Sequence, residues 1–195
     1  DTMAIDPKTA ATYKKLRSFR ARKDLTLKPT THLKTTFTGF GGTEHPLTIR
    51  YYQVQMVLHL LLSPRFVVGD DTGLGKTLET IAALCYVWEK QPDCKAIILT
   101  TKSATPQWGN EFLKFTTGVT PFVCQGPPKK RTVVREAFEK HCDGPAVLIM
   151  GYRTAVQDFR YMQEWDSYIL ITDEATAYKN PKTQVHQVVE YMASR

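Results

Sequence analysis

The 195-residue chain has little that would place it in a membrane or an oxidising compartment. No apolar run approaches the roughly 20 residues needed to span a bilayer. The opening stretch DTMAIDPKTAATYKK has no apolar signal-peptide core, and no membrane partner is expected. The four cysteines, Cys85, Cys94, Cys124 and Cys142, form no C-x-x-C pair, and no histidine stands beside them at zinc-ligand spacing. Cys85 and Cys124 lie in apolar contexts and are expected as reduced core residues, so the predicted setting is intracellular: cytoplasm and nucleoid, or nucleus. Internal repeats and low-complexity segments are absent too. Acid is in deficit, with 19 Asp and Glu against 26 Lys and Arg and a formal net charge of +7. Such a balance favours an anionic partner: nucleic acid, a nucleotide or an acidic protein.

What is present is the pattern of a folded α/β domain. Residues 1–45 form a basic appendage, in which Asp6 is a plausible N-cap and Pro7 the first helical residue. Ala10, Tyr13, Leu16 and Phe19 then make a narrow apolar stripe. The stripe suits a docked surface helix and the charge suits an arm near nucleic acid. The run TLKPTTHLKTTFTGFGG reads as extended. From residue 46 onward, helical and short apolar segments alternate. IRYYQVQMVLHLLL, KTLETIAALCYVWEK, ATPQWGNEFLKF, PKKRTVVREAFEKH and PKTQVHQVVEYMASR have helical length. RFVVG, AIILTT, TPFVCQG, PAVLIMGY and DSYILITDE read as strands. Strands separated by such helices imply right-handed βαβ units and a mostly parallel sheet with helices on both faces.

The stretch GDDTGLGKT, residues 69–77, follows the RFVV run and nearly satisfies the phosphate-loop rule G-x-x-x-x-G-K-[ST]. Gly75, Lys76 and Thr77 supply its last three letters, but the first glycine should fall at Asp70 and Gly69 comes one residue early. A phosphate cradle needs inward backbone N–H groups and a helix N-terminus. Gly73 and Gly75 permit the turn, Lys76 can reach the β- and γ-phosphates, and Thr77 can place its hydroxyl on Mg²⁺. Thr72, Leu74 and Leu78 complete the predicted ATP-binding set. A second element is YILITDEAT, an apolar strand ending in Asp173 and Glu174. Open α/β sheets bind ligands at the carboxyl ends of their strands. Asp173 is therefore read as a Mg²⁺ ligand, and Glu174 as the group that polarises the attacking water.

DDTGLGKT, AIILTTKSATPQWGNEF, VLIMGY and DEATAYKN occur in the order and spacing of superfamily 2 helicase-like ATPases. The chain most resembles their SWI/SNF-type DNA translocases, over residues 47–182. That branch carries aspartate where the general loop has its first glycine. The resemblance implies the first RecA-like P-loop lobe, residues 46–195, using ATP and Mg²⁺ and contacting double-stranded DNA. It gives Gln53 the role of reading adenine, and Thr101, Lys102 and Ser103 contacts to DNA phosphates. It makes Gly151 and Tyr152 a second backbone-contact region. Trp108 is read as packing its helix on the sheet; Lys129, Lys130 and Arg131 are either phosphate contacts or a solvated surface. Thr176 departs from the D-E-A-H pattern of the family, and Asp70 and Asp71 set two carboxylates beside a polyanion site.

The resemblance also implies that the sheet lacks a central strand and that a second RecA-like lobe is needed for activity, so the fold is expected to be truncated. The predicted function is the N-terminal lobe of a translocase acting on a nucleoprotein or polymerase target, with this chain alone inactive. A strand-separating DNA or RNA helicase and a non-catalytic binding module are the alternatives.

Overall fold

A computed structural model describes residues 27–39, 41–63, 65–69, 73–166 and 168–194. The proposed N-terminal helix, Asp70, Asp71 and Thr72 lie outside the described residues. The chain divides into two compact units between Glu89 and Lys90.

In the first unit, β1 (Thr36–Thr38), inside the run read as merely extended, pairs antiparallel with β2 (Glu44–Pro46), which follows it. Gly41 and Gly42 both take positive φ between them, which is why the chain can reverse there. Helix α1 (Tyr51–Leu62) packs on α2 (Lys76–Trp88). Val57, Ala82 and Ala83 form the buried contact, flanked by Leu33, Ile49, Leu60 and Tyr86. One expectation fails here: Phe66 to Gly69 form no strand, and Val67 is 83% exposed. A buried strand needs a ladder partner for its N–H and C=O groups, and none of the described strands pairs with this run.

The second unit is a four-stranded parallel sheet in the order β4-β5-β3-β6. Its strands are β3 (Lys95–Thr100), β4 (Thr120–Cys124), β5 (Ala146–Gly151) and β6 (Tyr168–Thr172). Register and period-two alternation sort the apolar residues onto two faces. Ile97, Leu99, Phe122, Leu148 and Met150 share one face with Phe138, Ala155, Met162, Val188 and Met192. Those partners come from α4 (Pro128–Lys140), α5 (Tyr152–Met162) and α6 (Gln184–Ala193). The opposite face carries Val123 and Ile149, covered by α3 (Thr105–Phe115). Gly109 makes that approach close, since a Cβ there would lie 2.6 Å from Val123 Cγ2. Helix α5 is absent from the sequence reading, although Ala155, Asp158 and Met162 are its buried, helically spaced positions.

Beneath α4 and α5, Asp158 joins two arginines. Arg131 Nε and Nη2 donate to its two oxygens at 3.0 and 2.9 Å, and Arg135 donates to Oδ2. All three residues are buried. Arg131 thus belongs to the interior, while Lys129 and Lys130 are exposed.

Candidate functional site

The glycine loop of the first unit is shaped by its backbone. Gly73 and Gly75 have φ of +85° and +92°, a region open to glycine at little cost. Gly75 is also the N-cap of α2, so the helix begins at Lys76 and its first N–H groups border the loop. A helix N-terminus reached through such a turn sets backbone N–H groups and the positive end of a helix dipole at the loop, a geometry that suits an anion. Lys76, Thr77 and Leu78 are half-buried in the first turn, and Leu74 is 37% exposed.

Gln53 lies against this loop. Its Oε1 accepts from the Arg50 N–H at 3.0 Å, and its Nε2 donates to Leu74 O at 3.2 Å. Tyr52 OH donates to the same carbonyl at 3.2 Å. The positive φ favours glycine at position 75, and a Cβ there would displace the Gln53 amide from its place against the loop. The sequence brought Gln53 and the loop into one site, but not the hydrogen bonds that tie them.

In the second unit the functional groups gather at the carboxyl edge of the sheet. Asp173 follows β6, and its N–H donates to Leu99 O at 2.8 Å, extending the ladder by one residue. Its Oδ2 accepts from Thr100 Oγ1 and from Trp108 Nε1, each at 2.9 Å. Its carbonyl accepts from Tyr152 OH at 2.5 Å. Burial, followed by the charges of Tyr178, Asp173 and Glu174, pushes the Tyr152 hydroxyl pKa up, so it remains a donor through the neutral range. Glu174 is exposed and holds φ +57°, ψ +60°. It alone among the described non-glycine residues has a positive φ, and such strain concentrates at functional positions.

Thr101, Lys102 and Ser103 form the turn between β3 and α3, with Lys102 and Ser103 exposed. Gly151 ends the neighbouring strand β5, and a Cβ on it would stand 3.5 Å from Lys102 Cα. The two predicted backbone-contact regions are therefore adjacent. Tyr152, however, is buried, with its ring 5.8 Å from that of Tyr178. Trp108 does pack its helix on the sheet, being 5% exposed, and it also donates to Asp173. Sequence reasoning missed that donation and the part played by Thr100. Thr176 is exposed on a 3₁₀ turn (Ala175–Tyr178).

The residues present suit Mg-ATP. In the first unit Gly73 and Gly75 take the left-handed turn of a phosphate loop, and each unit by itself carries a hard oxygen donor of the kind Mg²⁺ prefers, the Thr77 hydroxyl in the first and the Asp173 carboxylate in the second. All four cysteines are free thiols. No helix among the described residues is long and apolar enough to cross a membrane.

Comparison with known proteins places these observations. A family model for the SNF2-related domain matches residues 53–195. The ISWI chromatin-remodeling complex ATPase ISW2 of Saccharomyces cerevisiae is 32% identical over 155 residues, 75% of this chain and 14% of that protein. The chromodomain-helicase-DNA-binding protein 1-like of Danio rerio is 28% identical over 147 residues, 73% of this chain and 14% of that protein. Among solved structures, the Sulfolobus solfataricus SWI2/SNF2 ATPase core in complex with dsDNA aligns with a TM-score of 0.59 at 20% identity. It covers 86% of this chain and 32% of that one, and establishes a RecA-like fold. The chain thus spans a small fraction of the length of these relatives.

Proposed function

Because the chain belongs to the SNF2-related domain family, we propose that it is the N-terminal ATPase lobe of an intracellular, ATP-dependent double-stranded DNA translocase. It remodels or displaces DNA-bound protein, a nucleoprotein or a polymerase. Residues 46–195 form the lobe, and a second RecA-like lobe completes the catalytic cleft. The observation that carries this reading is Asp173, fixed at the carboxyl end of β6 by Thr100 and Trp108, in a chain whose glycine loop opens helix α2. The relatives named as remodelling ATPases support it, as does the neighbour bound to dsDNA.

The loop residues 72–78 bind the phosphates, with Lys76 supplying positive charge and Thr77 a hydroxyl for the metal. Gln53 reads adenine by exchanging its hold on Leu74 O. Asp173 would hold Mg²⁺, and Glu174 would polarise the attacking water. Bound Mg-ATP supplies the γ-phosphoryl group and the charge that neutralises it. Thr101, Lys102, Ser103 and Gly151 contact DNA phosphates, and Tyr152 supports that region from beneath.

In the full-length protein, ATP turnover is expected to rise with duplex DNA. Lys76→Ala or Glu174→Gln is expected to lower kcat by about 10³-fold or more. Normal turnover in either variant would overturn the site assignment. Equal stimulation by single strands, with strand displacement, would replace translocation by helicase action. The 195-residue chain alone is expected to turn over ATP barely if at all.

A further inference from the structure

The geometry points to Trp108 and Tyr152 as positioning residues that link the DNA-facing edge of the sheet to Asp173. This rests on the reading of Thr101–Ser103 and Gly151–Tyr152 as backbone-contact segments. The first link runs through α3. The Thr105 N–H and hydroxyl both bond Thr101 O, at 3.1 and 2.9 Å, and the Trp108 N–H bonds Ala104 O at 3.0 Å. The exposed turn and the indole are thus joined by one helical turn, and the indole N–H ends on Asp173 Oδ2 at 2.9 Å. The second link runs through β5. Gly151 lies against the Lys102 backbone, and the next residue donates its phenol to Asp173 O at 2.5 Å.

The exposed Lys102–Ser103 turn therefore reaches the same aspartate by two routes, each ending in a buried donor, one acting on the carboxylate and the other, through buried Gly151 and Tyr152, on the backbone. A 2.9 Å hydrogen bond lengthened by about an ångström is no longer a hydrogen bond, so a small displacement of either segment redirects the carboxylate. Groups that orient a metal ligand from behind commonly alter metal affinity or activity by about 10–100-fold when removed. Glu174, next in the chain and held at φ +57°, is turned by the same peptide that Tyr152 grips.

The test uses full-length protein with ¹⁵N-labelled tryptophan. The chain contains three tryptophans, and loss of one indole resonance in Trp108→Phe assigns the Trp108 peak. Asp173→Asn should shift that peak with no ligand present. Duplex DNA alone, without nucleotide or Mg²⁺, should shift it again while the Trp88 and Trp165 peaks hold. In turnover, Trp108→Phe should lower DNA-stimulated kcat and raise the Mg²⁺ needed for half-maximal rate by about tenfold, leaving the ATP KM in place. Tyr152→Phe, which removes a single oxygen, should do the same to a smaller extent and serves if the tryptophan variant does not fold. Bound duplex with an unmoved Trp108 peak overturns the coupling alone. So do variants with unchanged kcat and Mg²⁺ dependence, or ones whose melting temperature and ATP KM change while the Mg²⁺ dependence does not. A duplex that fails to bind overturns the functional reading first and this coupling with it.

Discussion

The glycine loop and the acidic end of β6 are held by opposite means. Around Gly73 and Gly75 the backbone does the work: two left-handed glycines, a helix N-terminus, and one carbonyl tied to Tyr52 and Gln53. At Asp173 side chains do it, with Thr100, Trp108 and Tyr152 converging from a strand and two helices. A site made of backbone is written in consecutive letters. One made of side chains is dispersed, here over sequence separations of 21 to 73 residues.

The contrast can be broken by substitution. The strongest expected effect lies in the side-chain-built unit. Asp158→Ala leaves two buried guanidinium groups without their carboxylate and should destabilise it by about 3–5 kcal/mol, measured by chemical denaturation. Little change in midpoint would mean that the arginines find other partners. Next comes the backbone-built loop. Gly75→Ala forces an L-residue into φ +92° and drives a methyl into Gln53, at a cost of about 1–3 kcal/mol. Nucleotide titration should show affinity reduced about tenfold or more, from about 1.4 kcal/mol per decade. Unchanged affinity would show that the loop does not need its glycine.

Glu174→Asn probes the strained position between the two effects. Asparagine tolerates the left-handed region better than glutamate, so thermal stability should rise by up to about 1 kcal/mol while turnover is lost. A fall in melting temperature would show that φ +57° is not a strained state here. The smallest effect is one of pH. Burial pushes the Cys85 thiol up to about 12 and Cys124 up to about 11, from an ordinary 9.0. Glu89 adds to the rise at Cys85, and Asp158 to that at Cys124. Their folded pKa values lie above the unfolded one, so the stability they contribute is complete below pH 9.0 and lost as pH climbs toward the folded values. Alkylation at pH 8 should modify exposed Cys142 first and spare Cys85 and Cys124. Following those two through denaturant compares the units directly, one cysteine in each.

Much of the fold was legible because its signals are local. Four of the five expected strands and all five expected helices of residues 46–195 form, since each carries its own periodicity or apolar run. RFVVG failed because an apolar run says nothing about whether a ladder partner is at hand. Helix α5 went unread because a charged residue, Asp158, holds one of its buried positions and interrupts the apolar stripe between Ala155 and Met162. At the loop, the spacing led to Gly73 and Gly75, both of which take positive φ, and to Lys76 and Thr77, which open helix α2. The indole bond from Trp108 to Asp173 spans 65 residues and had no local signature. An indole N–H must find a partner when buried, which is the general hint that a tryptophan beside the acidic strand has polar business there.

Gly109 sets the distance at which all of this happens. It follows Trp108 directly, and its missing side chain lets α3 settle onto Val123 and Ile149. A methyl group at that point, 2.6 Å from Val123 Cγ2, would push the helix off the sheet, and the indole would move with it. The smallest residue in the helix thus acts as a spacer, keeping a large aromatic within reach of a single oxygen atom. Replacing it with alanine would detune the acidic end while leaving every side chain of the glycine loop and of the Asp173 cluster in place.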